Sequence, residues 1–227
     1  MTENQTVQQK SVRRNRLAAA ACFAASLITV SVVGTQSATA DGAAHKPARP
    51  ASVAVAASGL GSAQLVQSQD FPQGLNPVGA TISLTGREGL SACSGETTMR
   101  DLTKGTATGY ASVTWTLDTD GRLRESAASA PTGTSADTWE QQLVGLVQEC
   151  QNEPAGHWYY GATHTLATTG GTAHWYLAYN GDGSASGGAA VLRSGDKVAV
   201  VELTGRPTDT PAQVEGLVTA ALNRLHS

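Results

Sequence analysis

Apolar and polar positions alternate most clearly from Tyr110 to Leu117. Ala111, Val113, Trp115 and Leu117 fall on one side and Ser112, Thr114 and Thr116 on the other, the period-two pattern of a half-buried strand. Asp118-Thr119-Asp120-Gly121 turns the chain, and Arg122 to Ala130 reads as a polar edge strand running back. Upstream, Ser62 to Gln69 reads as a short helix ended by Phe71-Pro72, and Val78 to Leu84 as a strand.

Helical spacing begins at Thr134, which with Asp137 three residues on forms a capping box. Trp139, Leu143, Leu146, Val147 and Cys150 then recur on one face, so Cys150 ends an amphipathic helix on its buried side. Two β-rich runs follow, His157 to Leu166 and Ala173 to Asn180, joined by a turn at Thr168-Thr169-Gly170-Gly171. Pairing them sets Tyr160, Ala162, His164 and Leu166 on the face of Ala173, Trp175, Leu177 and Tyr179. Tyr159, Thr163, Thr165, His174 and Tyr176 take the other. A second hairpin, Ala189 to Arg193 with Lys197 to Leu203, turns at Ser194-Gly195-Asp196, and Gly181 to Gly188 reads as a flexible loop between the two. The last element is a helix capped by Thr210, with Pro211 at its first position and Gln213 closing the box. Its apolar stripe is Val214, Leu217, Val218, Ala221, Leu222 and Leu225. The order predicts an α+β fold, a largely antiparallel β-sheet packed by two or three helices.

The chain's beginning follows another logic. Lys10, Arg13, Arg14 and Arg16 precede an uncharged run from Leu17 to Val33, loosened by Ser26, Thr29 and Ser31, and Ala38-Thr39-Ala40 supplies small residues for cleavage between Ala40 and Asp41. Residues 1–40 are therefore expected to be a signal peptide and the protein to be secreted or otherwise extracytoplasmic, associated with the cell surface. Arg13-Arg14 with Leu17 resembles a twin-arginine signal, but Arg16 stands where such signals carry an apolar residue, so ordinary unfolded export is preferred. Cys22 lacks the aliphatic context of a lipid-acceptor cysteine. Retention of the segment as a membrane anchor stays as an alternative. Residues 41–58, rich in Ala and Pro, read as a flexible linker, and 59–227 as a single binding domain of about 170 residues.

Removing residues 1–40 takes four of the 15 basic residues and one of the 18 acidic ones, leaving 11 against 17, a formal charge of −6. Such a domain, without a Lys/Arg run, has no electrostatic footprint for phosphate backbones, which argues against nucleic acid as a partner. Two cysteines remain, Cys93 and Cys150, and in an oxidising compartment one structural disulfide is the expected pairing.

A leading helix ending near Pro72, a cysteine at 93, a capped helix ending in Cys150, a β-meander with Trp175 and Val198 to Val201, and a terminal helix from Pro211 together resemble the PknH-like extracellular sensor domain family. That family stands outside the membrane on mycobacterial-type receptor kinases and also as secreted or lipid-anchored proteins. The resemblance spans roughly Gly59 to Ser227 and implies a non-catalytic sensor or ligand-binding module. Kinase-borne members carry two disulfides, whereas this chain beyond residue 40 forms at most one.

The sequence contains no G-x-S-x-G, H-E-x-x-H, phosphate-binding glycine loop or paired-cysteine zinc pattern, and nothing in it calls for a metal or cofactor. Ser194-Gly195-Asp196-Lys197 matches the S-x-x-K spacing of penicillin-recognising enzymes, but on a hairpin tip rather than a helix. Asn180, Asp182 and Ser184 alternate like calcium ligands, yet Ala185 and Val191 replace the glycine and final acid of such loops. The aromatic hairpin is the best recognition surface, and Tyr159, His174 and Tyr176 are its candidate ligand-binding residues. The expected function is an exported, non-catalytic domain binding a small ligand, a cell-wall fragment or an envelope protein. The alternatives are a cell-wall hydrolase with dispersed acid/base residues and a structural envelope protein.

Overall fold

The computed structural model describes residues 60–91, 93–205 and 211–227. The expected signal peptide, Ala40/Asp41 cleavage site, 41–58 linker and Thr210 cap lie outside the described residues.

Among the described residues, eight strands form a single antiparallel sheet. They are β1 (Pro77–Ser83), β2 (Gly109–Leu117), β3 (Arg122–Ser129), β4 (Tyr159–Tyr160), β5 (His164–Thr168), β6 (Gly171–Tyr179), β7 (Ala185–Ser194) and β8 (Lys197–Thr204). Their spatial order is β1-β2-β3-β8-β7-β6-β4, with β5 also pairing β6. Helices α1 (Met99–Leu102), α2 (Gly133–Glu149) and α3 (Pro211–His226) complete the α+β fold.

Each sheet face is covered. On one, the predicted stripe of α3, from Val214 to Leu225, packs on Ala111, Val113, Leu123, Leu192 and Val201, joined by Leu65 and Val66 from the segment before β1. On the other, Ala136, Trp139, Leu143 and Val147 of α2 pack on Tyr110, Tyr160, Tyr176, Val191 and Val198. The expected disulfide joins Cys93 to Cys150, with Cα atoms 5.8 Å apart, and fixes the end of α2 to the segment before α1. At α3, Lys197 Nζ donates to the Leu225 and Ser227 carbonyls, both at 3.0 Å, placing a cation at the negative end of the helix.

Several local expectations are corrected. The Arg122–Ala130 strand is central, not an edge: β3 lies between β2 and β8, and Glu125, Ser126 and Ser129 are buried. Its polar sequence is tolerated because Glu125 finds a partner in Val66, 59 residues away, whose N–H donates to Oε2 at 2.7 Å. Strand β2 is covered on both faces, since Ser112 is buried and Tyr110 packs in the α2 layer. Helix α2 is capped two residues earlier than expected, by Thr132, whose hydroxyl accepts from Ser135 N at 3.1 Å.

The expected 62–69 helix splits into 3₁₀ turns at Ser62–Gln64 and Ser68–Asp70. Each closes on itself, through Gly61 N–H to Gln64 Oε1 and Gln67 N–H to Asp70 Oδ2, leaving Leu65 and Val66 extended and buried between them. The expected 181–188 loop shrinks to the five-residue link 180–184, because β6 ends at Tyr179 and β7 begins at Ala185 and includes Gly187 and Gly188.

Candidate functional site

Tyr159, His174 and Tyr176 do not share a face, which corrects the parity drawn from the sequence. Strand β5 pairs with β6 as expected, His164 opposite Trp175 and Thr165 opposite His174, but β4 pairs Tyr159 with Tyr179 and Tyr160 with Ala178. The two registers differ by one residue, absorbed in the link 161–163, and a one-residue slip turns every side chain before it to the opposite face. Tyr160 is therefore the residue under α2. It is 1 % exposed, donates its hydroxyl to Glu202 Oε1 at 2.7 Å, and its burial holds the phenol protonated. Tyr176, at 0 % exposure, packs beside it with ring centroids 6.1 Å apart, so it belongs to the core. His174 is half-buried against α2, its Nε2 4.0 Å from Glu140 Oε1. Arg193 bridges Asp137 and Glu140 in the same cluster, and Thr172 donates to Glu140, so these groups latch α2 to β6 and β7.

Tyr159 alone of the three lines a cleft. Its ring stacks on Tyr179, centroids 5.3 Å apart and planes 22° apart. The Tyr179 ring in turn lies over Gly161, where a Cβ would come 2.7 Å from Cε2, so the stack requires glycine there. Beyond Tyr159 opens a cleft of about 480 Å³ whose walls are Gln151–Gly156 and Gly181–Gly183. The walls meet where Gly181 touches Gly156: a Cβ on Gly181 would lie 2.0 Å from the Gly156 carbonyl oxygen. Gln151 anchors the first wall by donating to the Gly161 carbonyl. The same strip continues along β6, where His164 stacks on Trp175 at 4.1 Å.

The cleft rim is acidic. Asp182 Oδ1 accepts from the hydroxyl and N–H of Ser184, at 2.6 and 2.9 Å, and these bonds hold its carboxyl below the usual range. Asn180 Nδ2 donates to Ser184 Oγ, so the residues that alternate like calcium ligands spend their polar atoms on one another within the turn. Glu153 stands on the other wall, 3.7 Å from His157. No Lys or Arg lines the cleft. An aromatic face with carboxylates and backbone amides at its edge suits a neutral or cationic ligand rich in hydroxyl or amino groups. Sequence reasoning missed Tyr179, Gly161 and Gly181. The signal available was glycine directly after Tyr159-Tyr160 and directly after Tyr179-Asn180.

The Ser194–Lys197 tetrad spans the β7–β8 turn, with Ser194 opposite Lys197. Ser194 Oγ lies 3.2 Å from His226 Nδ1, above a depression shared with Thr168–Thr172. Lys197 is engaged with the end of α3, which removes it as a base for Ser194. Burial pushes Glu125 up to about 8, but this carboxyl is sealed in the core and meets no substrate. Among the described residues no group of three His, Cys, Asp or Glu is placed to hold a metal ion. A third concavity, about 850 Å³, gathers Arg87, Arg100 and Lys104 around Thr98, Asp101 and Gly105.

No family model matches this chain, and no curated protein matches it. Its fold is similar to that in the crystal structure of the extracellular domain of PknH from Mycobacterium tuberculosis. The TM-score is 0.49 and the sequence identity 15 %, and the likeness covers 72 % of this chain and 93 % of that chain. No residue role is transferred from it.

Proposed function

We propose that this protein is an exported, non-catalytic binding domain that holds a polyhydroxylated or amino-bearing ligand, such as a fragment of cell-wall glycan, in the Tyr159 cleft. The observation that carries the reading is the Tyr159–Tyr179 stack held open over Gly161 at the mouth of an acidic cleft. Stacked rings offer an apolar face to the C–H side of a sugar, while Gln151, Glu153 and Asp182 face its hydroxyl or amino groups. Work outside the cytoplasm is supported by the Cys93–Cys150 disulfide, a bond that persists in oxidising compartments.

Calorimetric titration with neutral and amino-bearing cell-wall oligosaccharides tests the reading. Tyr159→Ala is expected to weaken binding about tenfold, the loss of roughly 1.4 kcal/mol of stacking. Binding that Tyr159→Ala leaves unchanged refutes it.

A hydrolase reading draws on the 3.2 Å approach of Ser194 Oγ to His226 Nδ1. It predicts labelling of Ser194 by a serine-directed phosphonate and loss of labelling in His226→Ala. The envelope-structural reading predicts a flat thermal-shift response to every glycan.

A further inference from the structure

Val78, Ile82 and Leu84 are 65, 51 and 59 % exposed, and they are the exposed large hydrophobics among the described residues. All three lie on or directly after β1, the outer strand of the sheet, which among the described residues pairs with β2 alone. Ala80 and Ile82 stand opposite Trp115 and Val113, so the stripe continues the apolar face that α3 covers further in. Natural edge strands are guarded by charge, proline or brevity. Strand β1 has seven residues, its proline and its one register shift, between Pro77 and Gly79, lie at its start, and residues 71–86 carry no charge. An edge that no other described residue covers, combining unpaired strand backbone with an apolar stripe, marks an association surface.

We infer that β1 pairs with β1 of a second copy, joining two sheets edge to edge about a two-fold axis. The strand is self-complementary. Antiparallel pairing centred on Ala80 sets Ala80 opposite Ala80 and keeps Ile82 of both copies on a shared face, with Val78 at the register shift where the regular ladder ends. The charges at its two ends agree. At the start of β1, Asn76 Nδ2 donates to Asp118 Oδ2 at 2.8 Å, fixing the acidic turn that carries Asp118 and Asp120. Beyond the other end Arg87, Arg100 and Lys104 stand around Asp101, a net basic cluster, with Arg100 N–H donating to the Gly86 carbonyl at 2.9 Å and its guanidinium over Tyr110. The two-fold brings the acidic end of each copy toward the basic end of the other. The Tyr159 cleft lies at the opposite edge of the sheet, beside β4, so the dimer presents two open clefts at its outer ends.

Light scattering on the chain from Asp41 onward tests this. A concentration-dependent dimer is expected, which Ile82→Lys converts to monomer; since Ile82 is exposed, the variant melts with the wild type at dilutions where both are monomeric, and only the wild-type melting temperature rises with concentration. Ala80→Cys is expected to give an intermolecular disulfide, because directly opposed strand residues lie about 5 Å apart. A wild-type chain still monomeric at about 1 mM overturns the inference. So does a dimer that Ile82→Lys leaves intact, which puts association on another surface. A chain that dimerises only after residues 41–59 are removed overturns it too, because the edge then belongs to the chain's own preceding segment.

Discussion

Glu125 Oε2 accepts the Val66 N–H at 2.7 Å, and Trp115 Nε1 donates to the Val66 carbonyl at 3.1 Å, so two side chains of the sheet satisfy both backbone groups of one buried residue. This clamp, together with the two-pronged Arg224–Asp70 ion pair at 2.8 and 3.0 Å, holds the 60–71 segment across the α3 face. Glu125 supplies it from a site where its other oxygen, Oε1, has no hydrogen-bond partner among the described residues.

That arrangement makes stability depend on pH. Burial raises Glu125 from 4.5 to about 8, so above pH 4.5 the unfolded chain gives up a proton that the folded one keeps. The contribution of this group is full below pH 4.5 and falls as pH rises toward 8, by at most about 1.4 kcal/mol per pH unit. Denaturant midpoints at pH 5, 6.5 and 8 should decline in the wild type, and Glu125→Gln should flatten that decline. Parallel profiles for the two proteins contradict the assignment.

Reading β3 correctly from sequence required knowing Val66. Arg122 to Ser129 has the composition of an edge strand, and only a partner 59 residues upstream makes Glu125 tolerable at the centre of a sheet. Patterns that depend on an element's own period were legible. The α3 stripe, the inward set Ala111, Val113, Trp115 and Leu117, with Trp115 only partly buried, and the cysteine pairing all stand as expected. The candidate site was less so, because face assignment by parity runs only as far as the register is unbroken, and the link 161–163 breaks it. One residue there exchanges Tyr159 for Tyr160 and stacks Tyr179 against the ring that lines the cleft.

The disulfide closes a loop with a sequence separation of 57 residues. Replacing both Cys93 and Cys150 by Ala should lower stability by up to about 4 kcal/mol by the loop-entropy argument. Thermal melting of the oxidised wild type against the double variant reads this loss, and equal melting points would show that the bond adds nothing to the fold.

Gly161 and Gly145 separate two uses of glycine. A Cβ at Gly161 collides with the Tyr179 ring, whereas at Gly145, inside α2, it meets nothing within 4 Å. Gly161→Ala should destabilise by about 1–3 kcal/mol through overpacking. Gly145→Ala should stabilise by about 0.5–1 kcal/mol through helix propensity. Chemical denaturation of the two variants tests both signs.

Backbone NMR during titration with a cell-wall oligosaccharide reads the binding site residue by residue. Shifts confined to residues 151–161 and 179–183, and absent in Tyr159→Ala, are the expected result. Shifts centred on Ser194 and His226, or none across a range of neutral and amino-bearing glycans, contradict a ligand site built on the Tyr159–Tyr179 stack.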